Sequence, residues 1–224
     1  MKFQKMLIAG FLVTGLLAGC GSDSTSGSEP KEDPKPSKQE AKNKEVKKDK
    51  DGKMILTEVG QYSETDSYRV ELKKIKMVNE TVDIAPLKVI VQDIKVFEMT
   101  DLNDEFAESL SFNTGRTVEE LKNGFTYIQV NYQAENTVDQ NIEWYDLMNI
   151  VTDKGQQIDG QMEEFLGIND FESEFIGKVK RDFTDGFALK DGDINKVKLI
   201  FGYTMNGDSY DKITKEQTVE YELN

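Results

Sequence analysis

Within Phe125 to Asn136 the chain alternates: Ile128, Val130, Tyr132 and Ala134 fall on one side, Gln129, Asn131, Gln133 and Glu135 on the other. Period-two alternation describes a strand with one buried and one wet face, and excludes a helix, whose apolar positions recur every three or four residues. The same period governs Val197, Leu199, Phe201 and Tyr203, and again Val219, Tyr221 and Leu223. Tyr68, Val70 and Leu72 share a face before Ile75 and Met77 take the opposite parity, which a bulge at Lys73-Lys74 explains. Leu87 to Met99 is rich in Val and Ile and longer than an ordinary strand, so it is read as bending between two sheets. Ile142, Trp144, Met148 and Ile150 continue the alternation up to a hairpin signal at Asp153-Lys154-Gly155. Further turns fall at Asp191-Gly192-Asp193 and Asn206-Gly207-Asp208. Helix is scarce. Thr117 to Gly124 reads as a short helix with Thr117 as cap, Glu120 closing a capping box and Gly124 stopping it; Asp101 to Leu110 adds a second. The expectation is an all-β antiparallel sandwich with one or two short helices.

The first residues are of another kind. Lys2 and Lys5 precede an uncharged run from Met6 to Ala18, the layout of a secretory signal and too short to span a bilayer. Leu17-Ala18-Gly19-Cys20 then resembles the lipobox of bacterial lipoproteins. That resemblance implies cleavage between Gly19 and Cys20, and a diacylglycerol, together with palmitate, on the Cys20 thiol. The chain would then be anchored through membrane lipid on the extracytoplasmic face of the cell membrane. Two acyl chains are what a stable anchor needs, since one binds only marginally. Cys20 is the single cysteine, so no internal disulfide competes for it.

Residues 20–53 read as the lipidated cysteine and a disordered tether. Ser, Gly, Pro, Lys, Glu and Asp dominate, and such a composition cannot offset the entropy of ordering. As a coil its mean reach is on the order of 30 Å. Residues 54–224 form the third part, an acidic domain. It carries 17 basic against 34 acidic side chains, a net charge of −17. That charge excludes nonspecific nucleic-acid binding, which requires a basic footprint. A cationic peptide or basic protein would be attracted.

Much chemistry is closed. The chain has no histidine, which removes His-based triads, proton shuttles and His-containing metal sites. No glycine-rich phosphate cradle occurs, and no cofactor is expected. Carboxylate chemistry survives, as a wall hydrolase or a calcium site. Asp191-Gly192-Asp193-Ile194-Asn195 opens like an EF-hand loop, but Lys196 stands where glycine is required. A looser site from Asp182, Asp185, Asp191 and Asp193 is the remaining option. Catalysis is not expected, because the residue types that usually carry it are missing.

Two features suit binding. Trp144 and Tyr145 face opposite ways, with Trp144 expected in the core. The stretch Met162 to Phe175 mixes acidic and apolar residues without a period. Its Phe165, Leu166, Phe171 and Phe175 form a candidate binding surface, or else fold inward over one end of the sandwich. With Phe125 to Thr137, Trp144 to Gly155, Asp185-Gly186-Phe187-Ala188-Leu189 and Val197 to Tyr203, the chain resembles Gram-positive lipoproteins bearing an immunoglobulin-like domain of unknown function. Their fold is shared with a small secreted mycobacterial antigen. The resemblance covers roughly Tyr68 to Leu223 and implies fold and location, with Asp101 to Gly124 as an insertion at one end. The expected role is a binding module for a membrane or envelope protein, or for a cationic peptide.

Overall fold

The computed structural model describes residues 47–48, 54–166 and 172–223. The signal, Gly19, Cys20, most of the tether and Phe171 lie outside the described residues.

The domain is an all-β antiparallel sandwich with two short helices. Its elements are β1 (Lys47–Lys48), β2 (Met54–Ile55), β3 (Tyr62–Glu64), β4 (Arg69–Ile84), β5 (Leu87–Thr100), α1 (Asp104–Thr114), α2 (Val118–Lys122) and β6 (Phe125–Asn136). They continue with β7 (Ile142–Trp144), β8 (Leu147–Thr152), β9 (Gln157–Asp159), β10 (Glu174–Phe175), β11 (Lys180–Leu189), β12 (Lys196–Phe201), β13 (Thr204–Asn206) and β14 (Gln217–Glu222). One layer is the five-stranded sheet β11-β6-β5-β4-β3. The other is built from the sheet β14-β12-β8-β9 and the shorter sheet β10-β7-β13. The shorter sheet continues the longer one along the chain, because β7 leads into β8, and β12 into β13, across two-residue breaks. β1 and β2 form a small hairpin, so strand pairing already begins inside the segment read as tether.

The alternation predicts the inner faces. Val89, Val91, Ile94 and Val96 of β5, with Ile128, Val130, Tyr132 and Ala134 of β6, meet Ile142, Trp144, Ile150, Val197, Leu199 and Phe201 from the opposing layer. Apolar area removed from water between the layers, at about 25 cal/mol per Å², is what holds the sandwich closed. The bulge expected at Lys73-Lys74 is present as a register shift between Leu72 and Lys74, which keeps Ile75 on the face of Val70 and Leu72. Met77, by contrast, is exposed.

Two expectations are corrected. β5 does not bend between sheets: it pairs with β4 and β6 along its whole length, with one irregularity between Val91 and Asp93. Its long apolar run arises because both its faces are covered near the helices, as neighbouring Val96 and Phe97 show. Met148 is only half-buried: it is the extra residue of a register shift in which Ile200 pairs with Asn149 and Phe201 with Leu147, so Leu147 turns inward instead.

The outer face of the five-stranded sheet is covered at one end. There α1 and α2, inserted between β5 and β6, lay Ala107, Leu110 and Leu121 over Val70, Leu72, Phe97, Met99, Phe125 and Tyr127. The helices start where their caps dictate. Asn103 Oδ1 accepts from Phe106 N at 2.9 Å, and Thr117 with Glu120 forms the expected reciprocal capping box.

Candidate functional site

The helices cover only part of the outer face, and beside them lies a cavity of about 710 Å³. That size suits a small-molecule ligand. Its floor is the five-stranded sheet, one wall is α1 with Phe106 and Leu110, and another is Met54, Ile55 and Leu56. Phe165 and Leu166 close a third side. They sit flat on the sheet because the segment pairs with the edge of β11: Phe165 N donates to Gly186 O at 3.0 Å, and Glu164 bridges to Phe187. Gly186 makes this possible. A Cβ there would stand 2.2 Å from Leu166 Cδ1, so only a residue without a side chain lets Leu166 reach the floor.

The floor is divided along the strands. Met99 and Phe97 of β5 and Phe125 and Tyr127 of β6 make its covered end apolar, with the Phe97 and Tyr127 rings stacked 5.1 Å apart. Phe165 meets Tyr127 edge-on at 5.3 Å. Burial pushes the Tyr127 phenol well above its usual range, so it stays protonated. Two residues further along each strand the floor turns polar, with Lys95 opposite Gln129 and Asp93 opposite Asn131. Lys95 is 7% exposed, and its ammonium stands 3.5 Å from Asp93 Oδ1. Asn131 Nδ2 donates to Asp93 Oδ1 at 2.6 Å. Asn131 Oδ1 accepts from Gln129 Nε2 at 3.2 Å and from Thr184 Oγ1 at 2.9 Å. The site is thus a largely apolar trough ending in a hydrogen-bonded polar network.

The residues singled out from the sequence divide. Phe165 and Leu166 line this cavity. Phe175 does not join them: it is 1% exposed, in the inter-sheet core, where pairing of β10 with β7 brings it onto Trp144. The inward-folded reading is the one that holds for it. Trp144 is buried and Tyr145 exposed, as their parity requires.

The four aspartates do not converge. Asp185 points between the layers and accepts from Tyr132 Oη at 2.6 Å, whereas Asp182 lies on the opposite side of β11 and accepts from Gln133 Nε2. The Asp191 turn is already served by an internal cation. Lys74 Nζ lies 3.1 Å from Asp193 Oδ1, 2.8 Å from Ile194 O and 3.0 Å from Asn195 Oδ1. No group of three or more acidic side chains arranged for a metal occurs among the described residues.

Sequence reasoning missed Lys95, Gln129 and Asn131. A lysine inside the run Val-Ile-Val-Gln-Asp-Ile-Lys-Val-Phe was the available signal, since a charge in a strand covered on both faces needs a partner.

A second polar group, half-buried Asp146, lies in the break between β7 and β8. Burial raises the Asp146 carboxyl above its usual range, although hydrogen bonds from Gln161 and Leu147 and the nearby Arg181 guanidinium oppose the shift. A carboxyl raised on folding binds its proton more tightly folded than unfolded. Charged Asp146 therefore costs stability above its folded pKa, and the cost is relieved as pH falls through that value. Asp146→Asn keeps the Oδ1 acceptor and is expected to raise the melting temperature at pH 7. The gain should shrink as pH is lowered into the ordinary carboxylate range; a gain independent of pH would contradict this account.

No family model and no curated protein matches the chain. Among solved structures it is similar to a functionally unknown protein from Listeria monocytogenes EGD-e, at 11% identity and a TM-score of 0.47, over 68% of this chain and 86% of that one, a likeness that carries no argument about activity.

Proposed function

We propose that the protein is a binding module held by lipid at Cys20 on the extracytoplasmic face of the cell membrane, and that its ligand occupies the cavity on the outer face of the five-stranded sheet. The cavity carries the reading: about 710 Å³, walled mostly by apolar side chains and ending in a polar network around Lys95 and Asn131. Binding rather than catalysis is the better account of this geometry. Lys95 and Asp93 neutralise each other, and no histidine is present to move a proton. The lipobox at Leu17 to Cys20 and the tether that follows support the location.

The test is photocrosslinking in intact cells from Ser63, at the rim of the cavity. A benzophenone amino acid there should capture a reproducible adduct that the same group at exposed Tyr210 does not. Equal capture from both positions, or none, would reject the cavity as the site. In the same cells a clickable fatty acid should label the protein and fail to label Cys20→Ala. The net charge of −17 favours a second reading, capture of a cationic peptide on the acidic surface. Affinity for such a peptide would then fall steeply with added salt, and no binding at micromolar peptide would remove it.

A further inference from the structure

We infer that the ligand of this cavity is an acyl chain headed by carbonyl or carboxylate oxygens, its chain lying along Phe97 and Tyr127 beside α1 and its head at Lys95. The inference rests on the reading of the cavity as a ligand site, and supplies the chemistry of what enters it.

The polar end offers donors beside a few acceptors, Gln129 Oε1, Thr184 Oγ1 and the second Asp93 oxygen. Asn131 Oδ1 already accepts two hydrogen bonds, and Asp93 Oδ1 accepts from Asn131 while facing Lys95. The amides of Gln129 and Asn131 each carry a second N–H beyond the one engaged. Lys95 is the decisive residue. An ammonium has three N–H donors, and among the described residues its charged partner is Asp93 at 3.5 Å. A charge-assisted hydrogen bond is shorter, about 2.7–2.9 Å. A nearly buried ammonium with one distant acceptor, lining a cavity, is aimed at an oxygen that the ligand brings. Because Asp93 offsets Lys95, the head is recognised by its acceptor oxygens, whether an ionised carboxylate or a neutral ester.

The other end selects the chain. Met54, Met99, Leu110 and Leu166 surround the Phe97 and Tyr127 rings with flexible apolar side chains that adapt to methylenes, while Ser63, Glu64 and Thr65 stand at the rim. Free fatty acid and membrane lysolipid share this chemistry. A chain anchored at Cys20 would keep the cavity within about 30 Å of a bilayer that supplies both.

The experiment uses the full chain carrying Cys20→Ser, titrated with palmitate labelled with 13C at the carboxyl, with lysophosphatidylglycerol, and with phosphatidylglycerol vesicles. Native mass spectrometry and carbon NMR read the complex. Saturable binding of one palmitate or one lysophosphatidylglycerol per chain is expected, with the labelled carboxyl resonance displaced. Palmitate alone would identify free fatty acid as the source, and the lysolipid or vesicles alone would identify membrane lipid. Lys95→Met should weaken binding at least tenfold. Since that change strands Asp93, the double variant Asp93→Asn, Lys95→Met is tested beside it and should show the same loss with the fold retained by circular dichroism. Binding that survives both variants, or no saturable binding of any acyl probe, overturns the inference. Capture of a peptide at Ser63 without acyl binding would also overturn it, while leaving the binding-module reading standing.

Discussion

Truncating Trp144 to alanine will remove about 3–5 kcal/mol of unfolding free energy, the range for deleting a buried aromatic. Stability of a whole domain is only about 5–15 kcal/mol, so this single change takes a large share of it. The indole is 2% exposed and sits at the crossing of both layers. It stacks with Phe201 at 6.2 Å and meets Phe183 and Tyr132 edge-on at 6.0 and 6.4 Å. Its Nε1 donates to Gly202 O at 2.9 Å, so truncation leaves both a void and a buried carbonyl short of a partner. Neighbouring rings cannot collapse into the space without leaving their own positions, because Tyr132 is already stacked on Phe183 at 4.8 Å. Trp144→Phe separates the two losses, keeping most of the ring and giving up the hydrogen bond; its cost should be roughly a third to a half of the alanine cost. Urea unfolding followed by far-ultraviolet circular dichroism reads both. A loss under about 1.5 kcal/mol for the alanine variant would mean that the indole does not organise the core.

What was legible in the sequence is what local rules govern. The strand from Phe125 to Asn136 occupies the bounds its alternation predicts, because one face is inward along most of its length. The Thr117 capping box needs only four consecutive residues, and it forms as read. The trough was illegible because it depends on distant segments meeting. Gln129 and Asn131 have the parity of a wet face, and only the return of Phe165-Leu166 against β11, with α1 nearby, turns that face into a floor. Phe175 failed for the same reason: β10 has two residues and no period of its own, and pairing with β7 sends its ring inward. The break between β7 and β8 and the register shift at Met148 were likewise hidden, since an alternation read straight through them passes over the two shifts that turn both Leu147 and Ile150 inward.

The break between β7 and β8 makes Gly202 a glycine whose loss should be felt strongly. It lies in the gap between β12 and β13, across from Tyr145-Asp146, where the two halves of the second layer join. A Cβ at Gly202 would stand 2.0 Å from Tyr145 O and 3.1 Å from Tyr145 C, a clash with backbone that no rotamer change relieves. Its N–H donates to Asp146 O at 2.8 Å, and its carbonyl holds the Trp144 indole. Alanine must therefore push the two strands apart at the point where both bonds cross. Overpacking costs about 1–3 kcal/mol, and losing the two hydrogen bonds adds about 1 kcal/mol each, so Gly202→Ala should cost roughly 3–5 kcal/mol. Gly155→Ala is the control. Gly155 turns the β8–β9 hairpin at a φ of 78° with open space around its Cα, so alanine there meets only left-handed backbone strain of about 1–2 kcal/mol. Strand approach and backbone conformation thus predict opposite orders for the two substitutions. If Gly155→Ala proves the more damaging in urea unfolding, the close crossing at Tyr145 is not what holds the layer together. If Gly202→Ala does, the Trp144 indole N–H should also lose its hydrogen-exchange protection in that variant and keep it in the other.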